Sequence, residues 1–427
     1  MAYIKVVIIG GGFGGLNAAL ALKKAKADVL VIDKTNHHLF QPLLYQVATA
    51  ALSSANIAQP IREVLRHQDN TSVIMANIVN IDKAKKTVIA ENGEVFPYDY
   101  LIVATGASHS YFGHQEWEKI APGLKTLEDA VTIRERVLFA FEQAERSNSF
   151  AEAEKFLRFI IIGGGPTGVE MAGAIAEIAR NTLFKNFRKI KPEQAHIYLI
   201  EGLDHILPSY PERLSEKAKD ALENLGVCVM TGVMVTEVSS DGVMLCGHNM
   251  ETKDARFLES KTIIWAAGNA ASPLLQVLDT PLDRQGRAIV EPDLSILQYP
   301  NIFVIGDAAL AKDKEGKPLP GVAQAAIQEA RYVAKVIAKN IPSSQRKPFV
   351  YVDKGSMATI GKAKAVAYFG KVQISGLIAW LAWGFVHILF LISFRNRIIV
   401  MTQWMFWYFT GKRNVRIITR PIEEIEK

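Results

Sequence analysis

One pattern occurs twice in this 427-residue chain, and it constrains the fold more than any other feature. An apolar, β-branched run at Tyr3–Ile9 ends in glycines, and a helical pattern and a second apolar run that closes on Asp33 follow it. The same order begins again at Phe159 and closes on Glu201. Strand, glycine turn, helix, strand and acid in this order predict a βαβ unit. The duplication therefore predicts an α/β fold with two Rossmann-like dinucleotide-binding domains.

The first glycine cluster has the spacing of a dinucleotide-binding fingerprint. Gly10-x-Gly12-x-x-Gly15 lies where the first predicted strand meets the first predicted helix. The first glycine permits a tight turn, the second lets the backbone approach a pyrophosphate, and the third lets helix and strand pack closely. Asp33, at the end of the second strand, can accept hydrogen bonds from ribose hydroxyls. Together these residues predict a nucleotide site.

A later segment indicates which nucleotide occupies the first site. Ile302–Ile305 has the pattern of a strand and runs directly into Gly306 and Asp307. An aspartate at this point can bond the ribityl hydroxyls of a flavin, which NAD does not possess. The alternative is that Asp307 caps the N-terminus of a helix. An N-terminal fingerprint combined with a late strand and Gly-Asp favours FAD.

The second glycine cluster predicts a nicotinamide site. Gly163-x-Gly165-x-x-Gly168 repeats the spacing, and the following strand ends on Glu201. A carboxylate there bonds the 2′-hydroxyl of NADH and repels the 2′-phosphate of NADPH, so we expect NADH to be preferred. Glu170 lies on the first turn of the helix. It is either a surface carboxylate stabilised by the helix dipole or, because this turn faces the nicotinamide, a functional group.

Composition narrows the remaining possibilities. Half of the residues are hydrophobic (49%) and 22% are charged, so a packed globular protein is expected. Cys228 and Cys246 are the two cysteines, and their spacing predicts no disulfide framework, no metal site and no redox-active dithiol. The N-terminus begins directly with a strand pattern, so we expect no signal or transit peptide. The net charge of +6 concentrates beside the hydrophobic C-terminal stretch, which argues against nucleic-acid binding.

The C-terminal stretch has a different composition. Ile374–Phe394 carries no formal charge, and Asn396–Gly411 continues as a second apolar segment rich in Trp and Tyr. Such a sequence fits a spanning hairpin, buried core helices, or helices that lie in the membrane interface. Aromatic residues with basic neighbours favour the interfacial arrangement, with residues 374–420 against the bilayer surface. The basic neighbours are Arg395, Arg397, Lys412, Arg413, Arg416 and Arg420.

Three segments together resemble the type II (non-electrogenic) NADH dehydrogenases: Gly163–Glu170, Ile302–Asp307 and Ala323–Glu329. The resemblance covers nearly the whole chain. It implies a monotopic or peripheral enzyme on the cytoplasmic face of the cell inner membrane, and a homodimer. Such an enzyme passes two electrons from NADH through non-covalently bound FAD to a membrane quinone and pumps no protons. The predicted domains are an FAD-binding domain in two parts (1–120 and 286–348), an NADH-binding domain (121–285) and a membrane-associated domain (349–427).

The resemblance and the fingerprints together give three sets of site residues. Glu170 and Gln324 are the catalytic candidates, and Gln324 and Gln328 are the quinone candidates. The basic residue near the quinone tunnel stays open among Lys354, Arg395 and Arg397. The residues predicted to contact FAD are Gly10, Gly11, Gly12, Phe13, Gly14, Gly15, Asp33, Lys34, Ile78, Gly106, Gly306, Asp307, Ala323 and Gln324. The residues predicted to contact NADH are Gly163, Gly165, Thr167, Gly168, Glu170, Glu201 and Gly268.

Two rival functions remain at this point. A sulfide:quinone oxidoreductase shares the scaffold, but its chemistry needs paired cysteines near the flavin, and Cys228 and Cys246 both lie in the predicted nicotinamide domain. A flavin-containing redox sensor would bind NADH and signal through a partner with little turnover. Steady-state NADH:quinone activity distinguishes the sensor from the enzyme.

Overall fold

The computed structural model describes residues 3–247 and 255–425. Its helices are α1 (Phe13–Ala21), α2 (Leu44–Ala48), α3 (Ser54–Ile57), α4 (Ile61–Leu65), α5 (Leu127–Arg146), α6 (Phe150–Phe156), α7 (Pro166–Glu177), α8 (Glu212–Asn224), α9 (Ala323–Ala338), α10 (Leu377–Phe390), α11 (Phe394–Thr410) and α12 (Ile422–Ile425).

The strands fall in the same chain order as the helices. They are β1 (Ile4–Ile9), β2 (Ala27–Asp33), β3 (His37–Leu39), β4 (Ala58–Pro60), β5 (Thr71–Met75), β6 (Ile78–Asp82), β7 (Thr87–Ala90), β8 (Val95–Pro97), β9 (Tyr100–Val103), β10 (Ala107–His109), β11 (Arg158–Ile162), β12 (His196–Ile200), β13 (Val227–Met230), β14 (Val233–Ser239), β15 (Gly242–Gly247), β16 (Arg256–Glu259), β17 (Thr262–Trp265), β18 (Asn269–Ala271), β19 (Ala288–Ile289), β20 (Ser295–Ile296), β21 (Tyr299–Val304), β22 (Ala309–Leu310), β23 (Ser356–Gly361), β24 (Lys364–Phe369) and β25 (Val372–Ser375).

The chain forms two compact units, each assembled from three stretches of sequence. Unit 1 comprises Met1–Leu39, Ala58–Ser108 and Asn269–Lys354. Unit 2 comprises Phe40–Ile57, His109–Gly268 and Gly355–Lys427. The long middle stretch of unit 2 is therefore inserted in the sequence of unit 1.

Unit 1 is built on a six-stranded sheet in the order β20-β21-β9-β1-β2-β5. All neighbouring strands are parallel except β20, which pairs antiparallel with β21. β1 is buried from Val6 to Ile9, as expected for a central parallel strand with helices on its faces. α1 packs against α9, and the apolar side chains of both helices join those of the sheet in one core. The glycine turn after β1 thus lies at the carboxyl end of a fixed strand.

Unit 2 repeats this arrangement in a four-stranded parallel sheet, β13-β12-β11-β17. In each unit the strand before the fingerprint pairs with the strand that ends in the acid, and with a later strand on its other side. A three-stranded antiparallel sheet, β14-β15-β16, accompanies the parallel sheet. The predicted fold class, with one nucleotide-binding domain inserted in another, is confirmed. The exact domain boundaries stay a prediction.

The C-terminal part of unit 2 packs on the helix that follows the second fingerprint. β23, β24 and β25 form an antiparallel sheet, and β23 contacts α7. The approach is close at Gly173 of α7, where a Cβ atom would lie 2.4 Å from the carbonyl oxygen of Ile360. Only glycine fits there, so α7 and β23 meet backbone to backbone.

The apolar C-terminal stretch forms two helices. A break at Leu391–Ser393 separates α10 from α11. The sequence pattern alone is also compatible with one continuous helix that spans the membrane. Among residues 3–247 and 255–425, no helix combines the length and the apolar composition required to cross a membrane.

Candidate functional site

The first glycine fingerprint forms a cradle that lacks side chains where a phosphate would approach. Gly10 has φ +101°, and a Cβ there would lie 2.3 Å from the carbonyl oxygen of Ala104. A Cβ at Gly15 would lie 1.8 Å from the carbonyl oxygen of Gly10. Around Gly12, by contrast, no atom of the described residues lies within 4 Å of the Cβ position. The first and third glycines are thus required for packing, whereas the second leaves space for a ligand.

The second fingerprint reproduces this geometry in unit 2. Gly163 has φ +108°, and its Cβ would lie 2.7 Å from the carbonyl carbon of Ala266. A Cβ at Gly168 would lie 1.8 Å from the carbonyl oxygen of Gly163, while the described structure leaves the Cβ position of Gly165 open to 4 Å. Gly12 and Gly165 are the N-cap residues of α1 and α7, and neither provides a side-chain cap. The first N–H groups of both helices are therefore available to an anion.

The acid at the end of the second strand accepts a hydrogen bond from the backbone of each fingerprint. Asp33 Oδ2 accepts a hydrogen bond from the Gly11 N–H at 2.5 Å. In unit 2, Glu201 Oε2 accepts from the Gly164 N–H at 2.6 Å, and its Oε1 accepts from the Leu203 N–H at 2.9 Å. Both carboxylates are thus held at the edge of the cradle, where a ribose would lie. The fit supports a dinucleotide in each unit.

His38, which sequence reasoning missed, lies beside the first cradle. It is buried, and Nδ1 lies 2.9 Å from the Gly11 carbonyl oxygen, which can only accept. Nδ1 therefore carries the proton, and burial lowers the pKa of the ring, which keeps it neutral. Nε2 has no hydrogen-bond partner among the described residues. An orphaned acceptor next to the fingerprint fits a bound FAD whose hydroxyl or amino groups would satisfy it.

The strand that runs into Gly306 and Asp307 ends in a left-handed turn. Gly306 has φ +68°, and its N–H donates to Glu329 Oε2 at 2.6 Å. Burial raises the pKa of Glu329 to about 7. Asp307 is the middle residue of the one-turn 3-10 helix Gly306–Ala308, whose N-cap is Ile305. The N-cap interpretation of Asp307 is therefore wrong, and its carboxylate lies near Gly321.

The two glutamines of α9 differ in their surroundings. The side chain of Gln328 is hydrogen-bonded to the backbone of Val352. Its Nε2 donates to the Val352 carbonyl oxygen at 2.9 Å, and its Oε1 accepts from the Val352 N–H at 3.0 Å. Gln324 is half-buried on the first turn of the helix. Of the two quinone candidates, Gln324 is the one with its amide available, and Gln328 would first have to release Val352.

Glu170 lies on the face of α7 that packs against β23. Its Oε1 lies 3.5 Å from the Thr359 N–H nitrogen, and desolvation raises its pKa to about 8. A surface carboxylate near a helix N-terminus would instead have a lowered pKa. The packing of α7 on β23 thus favours the functional interpretation of Glu170 over the surface one.

A buried ion pair lies two turns further along the same helix. Glu177 Oε2 accepts from Arg413 Nη2 at 2.9 Å, and the two side chains are 4% and 3% exposed. Arg413 also donates to the Thr49 carbonyl oxygen at 2.6 Å, and Glu177 Oε1 accepts from the Lys362 N–H. Burial raises the pKa of Glu177, while Arg413 acts to lower it. This basic residue was predicted to face lipid, and it is instead inside unit 2.

The other predicted site residues are divided between the two units according to the nucleotide they are predicted to contact. Every residue predicted to contact FAD falls in unit 1, and every residue predicted to contact NADH falls in unit 2. Lys34 is exposed just after β2, whereas Ile78 is buried as the first residue of β6. Thr167 lies on the first turn of α7. Gly106 and Gly268 both adopt left-handed backbone, with φ +67° and +70°, and each is the third residue after a parallel strand.

The C-terminal helices leave a large apolar surface exposed, which we call the apolar face. Its members come from both α10 and α11, and Phe385 and Phe409 are 69% and 79% exposed. Twelve exposed apolar side chains on two consecutive helices indicate an interaction site rather than a solvated surface. The face consists of Leu377, Ile378, Leu381, Phe385, Leu389, Phe390, Phe394, Ile398, Met401, Met405, Phe406 and Phe409.

Two nucleotide cradles, one in each unit, define the class of two-dinucleotide flavoprotein oxidoreductases. In agreement, residues 4–330 match the pyridine nucleotide-disulphide oxidoreductase family. Residues 354–413 match the NDH2 C-terminal domain.

Individual relatives narrow the class further. The chain is 46% identical over 425 residues to the type II NADH:quinone oxidoreductase Ndh of Mycobacterium tuberculosis, across 97% of this chain and 90% of that protein. It is 45% identical to NdhA of the same organism, across 97% of this chain and 89% of that protein. This chain belongs to the type II NADH:quinone oxidoreductase family, as the resemblance predicts.

Solved structures agree at the level of the fold. The structure of NDH2 from Plasmodium falciparum in complex with NADH has a TM-score of 0.88 at 24% identity, and the match covers 96% of this chain and 99% of that chain. The sulfide:quinone oxidoreductase from Aquifex aeolicus gives a TM-score of 0.74 at 18% identity, with 92% of each chain covered. The two structures share the fold of this chain.

Proposed function

We propose that this chain oxidises NADH at a membrane surface and passes two electrons through FAD to a membrane quinone, without pumping protons. Family membership makes it an FAD-dependent NADH:quinone oxidoreductase. The observation that carries the proposal is the pair of matched cradles, in which the middle glycine leaves space for a pyrophosphate and an acid braces the turn.

Each unit holds its nucleotide by its own backbone. In unit 1, the N-terminal N–H groups of α1 would hold the FAD pyrophosphate, Asp33 the ribose, and Asp307 the ribityl chain. In unit 2, α7 and Glu201 would hold NADH in the same way. Bound FAD supplies the redox chemistry, because it accepts a hydride and then gives up two electrons. The remaining task of the protein is to deliver two protons for each quinol formed.

Glu170 is the proposed proton-handling group. Because its pKa is raised to about 8, the carboxyl group carries a proton at neutral pH and can release it to a strong base such as a reduced quinone oxygen. Gln324 is the proposed hydrogen-bond donor to a quinone carbonyl. A role for Gln328 would require loss of its two hydrogen bonds to Val352.

The apolar face is the proposed membrane contact. Exposed Phe, Leu, Ile and Met side chains on α10 and α11 would enter the lipid interface, while the exposed side chain of Arg395 meets anionic headgroups. Such a position explains how a quinone with an isoprenoid tail reaches the enzyme. We further propose the cytoplasmic face of the inner membrane as its location, and a homodimer as its assembly.

The rival functions lack supporting residues. Cys228 is exposed on β13 and Cys246 lies on β15, and the two form no disulfide with each other. Partial desolvation raises the pKa of the Cys228 thiol, which disfavours the thiolate form. These thiols therefore give no support to a sulfide-oxidising site. The redox-sensor alternative makes a kinetic prediction, which the following experiment tests.

The test is an anaerobic absorbance titration of the purified protein. NADH should bleach the flavin band at one equivalent, and a quinone should restore it on many successive cycles. A protein that binds flavin and NADH but turns over once would be a sensor. A Glu170→Gln variant should retain bleaching by NADH and lose the pH dependence of reoxidation by quinone near pH 8.

A further inference from the structure

α2 is a short helix that is buried along its whole length, yet it carries two polar side chains. All five residues from Leu44 to Ala48 are buried, including Tyr45 and Gln46. α2 packs against α5 and α7 inside unit 2. Buried hydroxyl and amide groups are costly unless each finds a partner. Tyr45 and Gln46 therefore need hydrogen-bond partners inside unit 2.

The partners form a series of polar contacts that runs from α11 to Glu170. Trp404 Nε1 of α11 donates to Gln46 Oε1 at 2.7 Å. Gln46 Nε2 donates to the Tyr45 hydroxyl oxygen at 2.9 Å. The Tyr45 hydroxyl is in turn close enough to the Thr359 side chain on β23 to interact with it. The backbone N–H of Thr359 then faces Glu170 Oε1 at 3.5 Å.

The direction of the hydrogen bonds is fixed by chemistry. An indole nitrogen only donates, so the amide oxygen of Gln46 must face Trp404 and its NH₂ group must face Tyr45. Because the Tyr45 oxygen accepts from Gln46, its own hydrogen is free to point to Thr359. Burial raises the pKa of Tyr45 well above its usual range, so the phenol stays neutral at every relevant pH. Tyr45 is therefore a fixed dipole and not a titrating acid.

We propose that Tyr45 is a positioning residue for Glu170, and that Trp404, through Gln46, links the seating of α11 to this carboxyl group. The proposal rests on the proton-handling role proposed above for Glu170. In this proposal Tyr45 acts through Thr359.

The groups around Glu170 make hydrogen bonds the main influence on the ionisation of its carboxyl group. Tyr45 from α2 and Tyr210 from the segment before α8 are the titratable groups that interact electrostatically with Glu170 in the described chain, and both have raised pKa values. Arg413 reaches Tyr45 electrostatically, but it is paired with Glu177. With no countercharge, small changes in the donors that face the carboxylate decide how readily it ionises.

The hydrogen bond from Trp404 of α11 to Gln46 has a second consequence. Trp404 lies on a helix whose other side chains form much of the apolar face, so lipid contact sets the position of this helix. A shift of α11 would withdraw the indole from Gln46. The amide would then be free to rotate, and Tyr45 would no longer be held towards Thr359.

The test uses two tryptophans that differ in one hydrogen bond. Trp404→Phe removes the indole N–H that holds Gln46. Trp383→Phe is the matched control, because Trp383 packs on Trp404 with ring centroids 5.1 Å apart, yet its own Nε1 has no partner in the described structure. Tyr45→Phe removes the hydroxyl itself. Flavin reoxidation by a quinone is measured by stopped flow from pH 6 to 10, in vesicles of phosphatidylethanolamine and phosphatidylglycerol and in detergent.

We expect the midpoint near pH 8 to rise by about half a unit to one unit in Trp404→Phe and Tyr45→Phe, because Thr359 is then held less firmly and its N–H stabilises the ionised carboxylate less well. Trp383→Phe should keep the wild-type midpoint, and flavin reduction by NADH should be unchanged in all three variants. Wild-type protein should have a lower midpoint in vesicles than in detergent, and Trp404→Phe should remove that difference.

Each outcome decides a separate claim. If Glu170→Gln abolishes the midpoint while Trp404→Phe and Tyr45→Phe leave it in place, the positioning role is wrong and the proposed function stands. If Trp383→Phe shifts the midpoint as far as Trp404→Phe, packing rather than the hydrogen bond is responsible, and the inference fails. Equal wild-type midpoints in vesicles and detergent would refute the link to α11. A midpoint that survives Glu170→Gln would overturn the proposed role of Glu170 itself.

Discussion

The preference for NADH over NADPH should depend on a single carboxylate. The structure allows the size of that preference to be worked out. Glu201 is held at the ribose edge of the second cradle by hydrogen bonds to Gly164 and Leu203, at 2.6 and 2.9 Å. A 2′-phosphate at that edge would lie beside a negative charge that cannot swing away. Two unit charges about 4 Å apart repel by about 4 kcal/mol at an effective dielectric constant of 20.

Solvent at the ribose edge weakens this repulsion. Allowing for it leaves roughly 2–3 kcal/mol, which corresponds to a preference for NADH of about 30- to 150-fold in kcat/KM. Glu201→Gln should remove most of this factor, because the amide oxygen can still accept a backbone hydrogen bond while the charge is gone. The assay is steady-state kinetics with each nucleotide at saturating quinone, at low and at high salt. Salt should narrow the wild-type preference.

The control is Glu216→Gln, which removes the same charge from an exposed position on α8 of the same unit. That variant should keep the wild-type ratio of kcat/KM values. The reasoning would be refuted by a wild-type enzyme that uses NADPH as well as NADH. It would also be refuted if Glu201→Gln and Glu216→Gln had the same ratio.

Three further predictions concern stability, membrane contact and pH. Arg413→Met should lower the free energy of unfolding of unit 2 by about 3–5 kcal/mol in urea denaturation, because it leaves a buried carboxylate unpaired; a loss below about 1 kcal/mol would contradict this. Phe385→Glu combined with Phe409→Glu should reduce vesicle binding by at least about 100-fold in a sedimentation assay. Phe150→Glu, 71% exposed on another helix, should bind as the wild type does. Finally, because the pKa of Glu170 is raised to about 8, quinone-dependent kcat should fall as the pH rises through that value and the proton is lost; a flat profile would contradict it.

Local sequence was sufficient to predict the two cradles. Each fingerprint is confined to about forty residues, and its glycines are dictated by contacts with the adjacent strand, as at Gly10 and Gly163. Strand periodicity, turn glycines and a terminal acid are all readable at that range. The same local reasoning gave the strand before Gly306, which the structure places at Tyr299–Val304.

The surroundings of Glu170 could not be predicted from the sequence. Tyr45, Thr359 and Arg413 are separated from Glu170 by more than one hundred residues each, and nothing in their local pattern indicates burial together. The sequence left the side chain of Glu170 open between a surface and a functional role. The choice depends on desolvation, which is a property of the packed unit and not of the segment. For the same reason, Arg413 was grouped with the lipid-facing basic residues.

The sequence divides the C-terminal stretch into two apolar segments at Arg395, but it does not locate the helix break itself. Ile374–Phe394 carries no formal charge and is mostly apolar, so hydropathy alone could not place the end of α10 at Phe390. The backbone turns at Leu391–Ser393, and the Leu391 carbonyl oxygen accepts a hydrogen bond from Arg397 Nε at 2.7 Å. One of the basic residues left open for the quinone tunnel thus stabilises the turn between α10 and α11.

The contacts of the C-terminal segment limit how the protein can be cut or recombined. Trp404 bonds Gln46, Arg413 bonds Glu177 and Thr49, and the Val415 N–H bonds the Ala50 carbonyl oxygen at 3.2 Å. Removing the segment from about residue 373 would therefore open the interior of unit 2 as well as release a membrane contact. A soluble version of this enzyme should be sought by changing the exposed apolar side chains one at a time. By the same argument, a membrane segment exchanged between relatives must bring its partners on α2 and α7 with it.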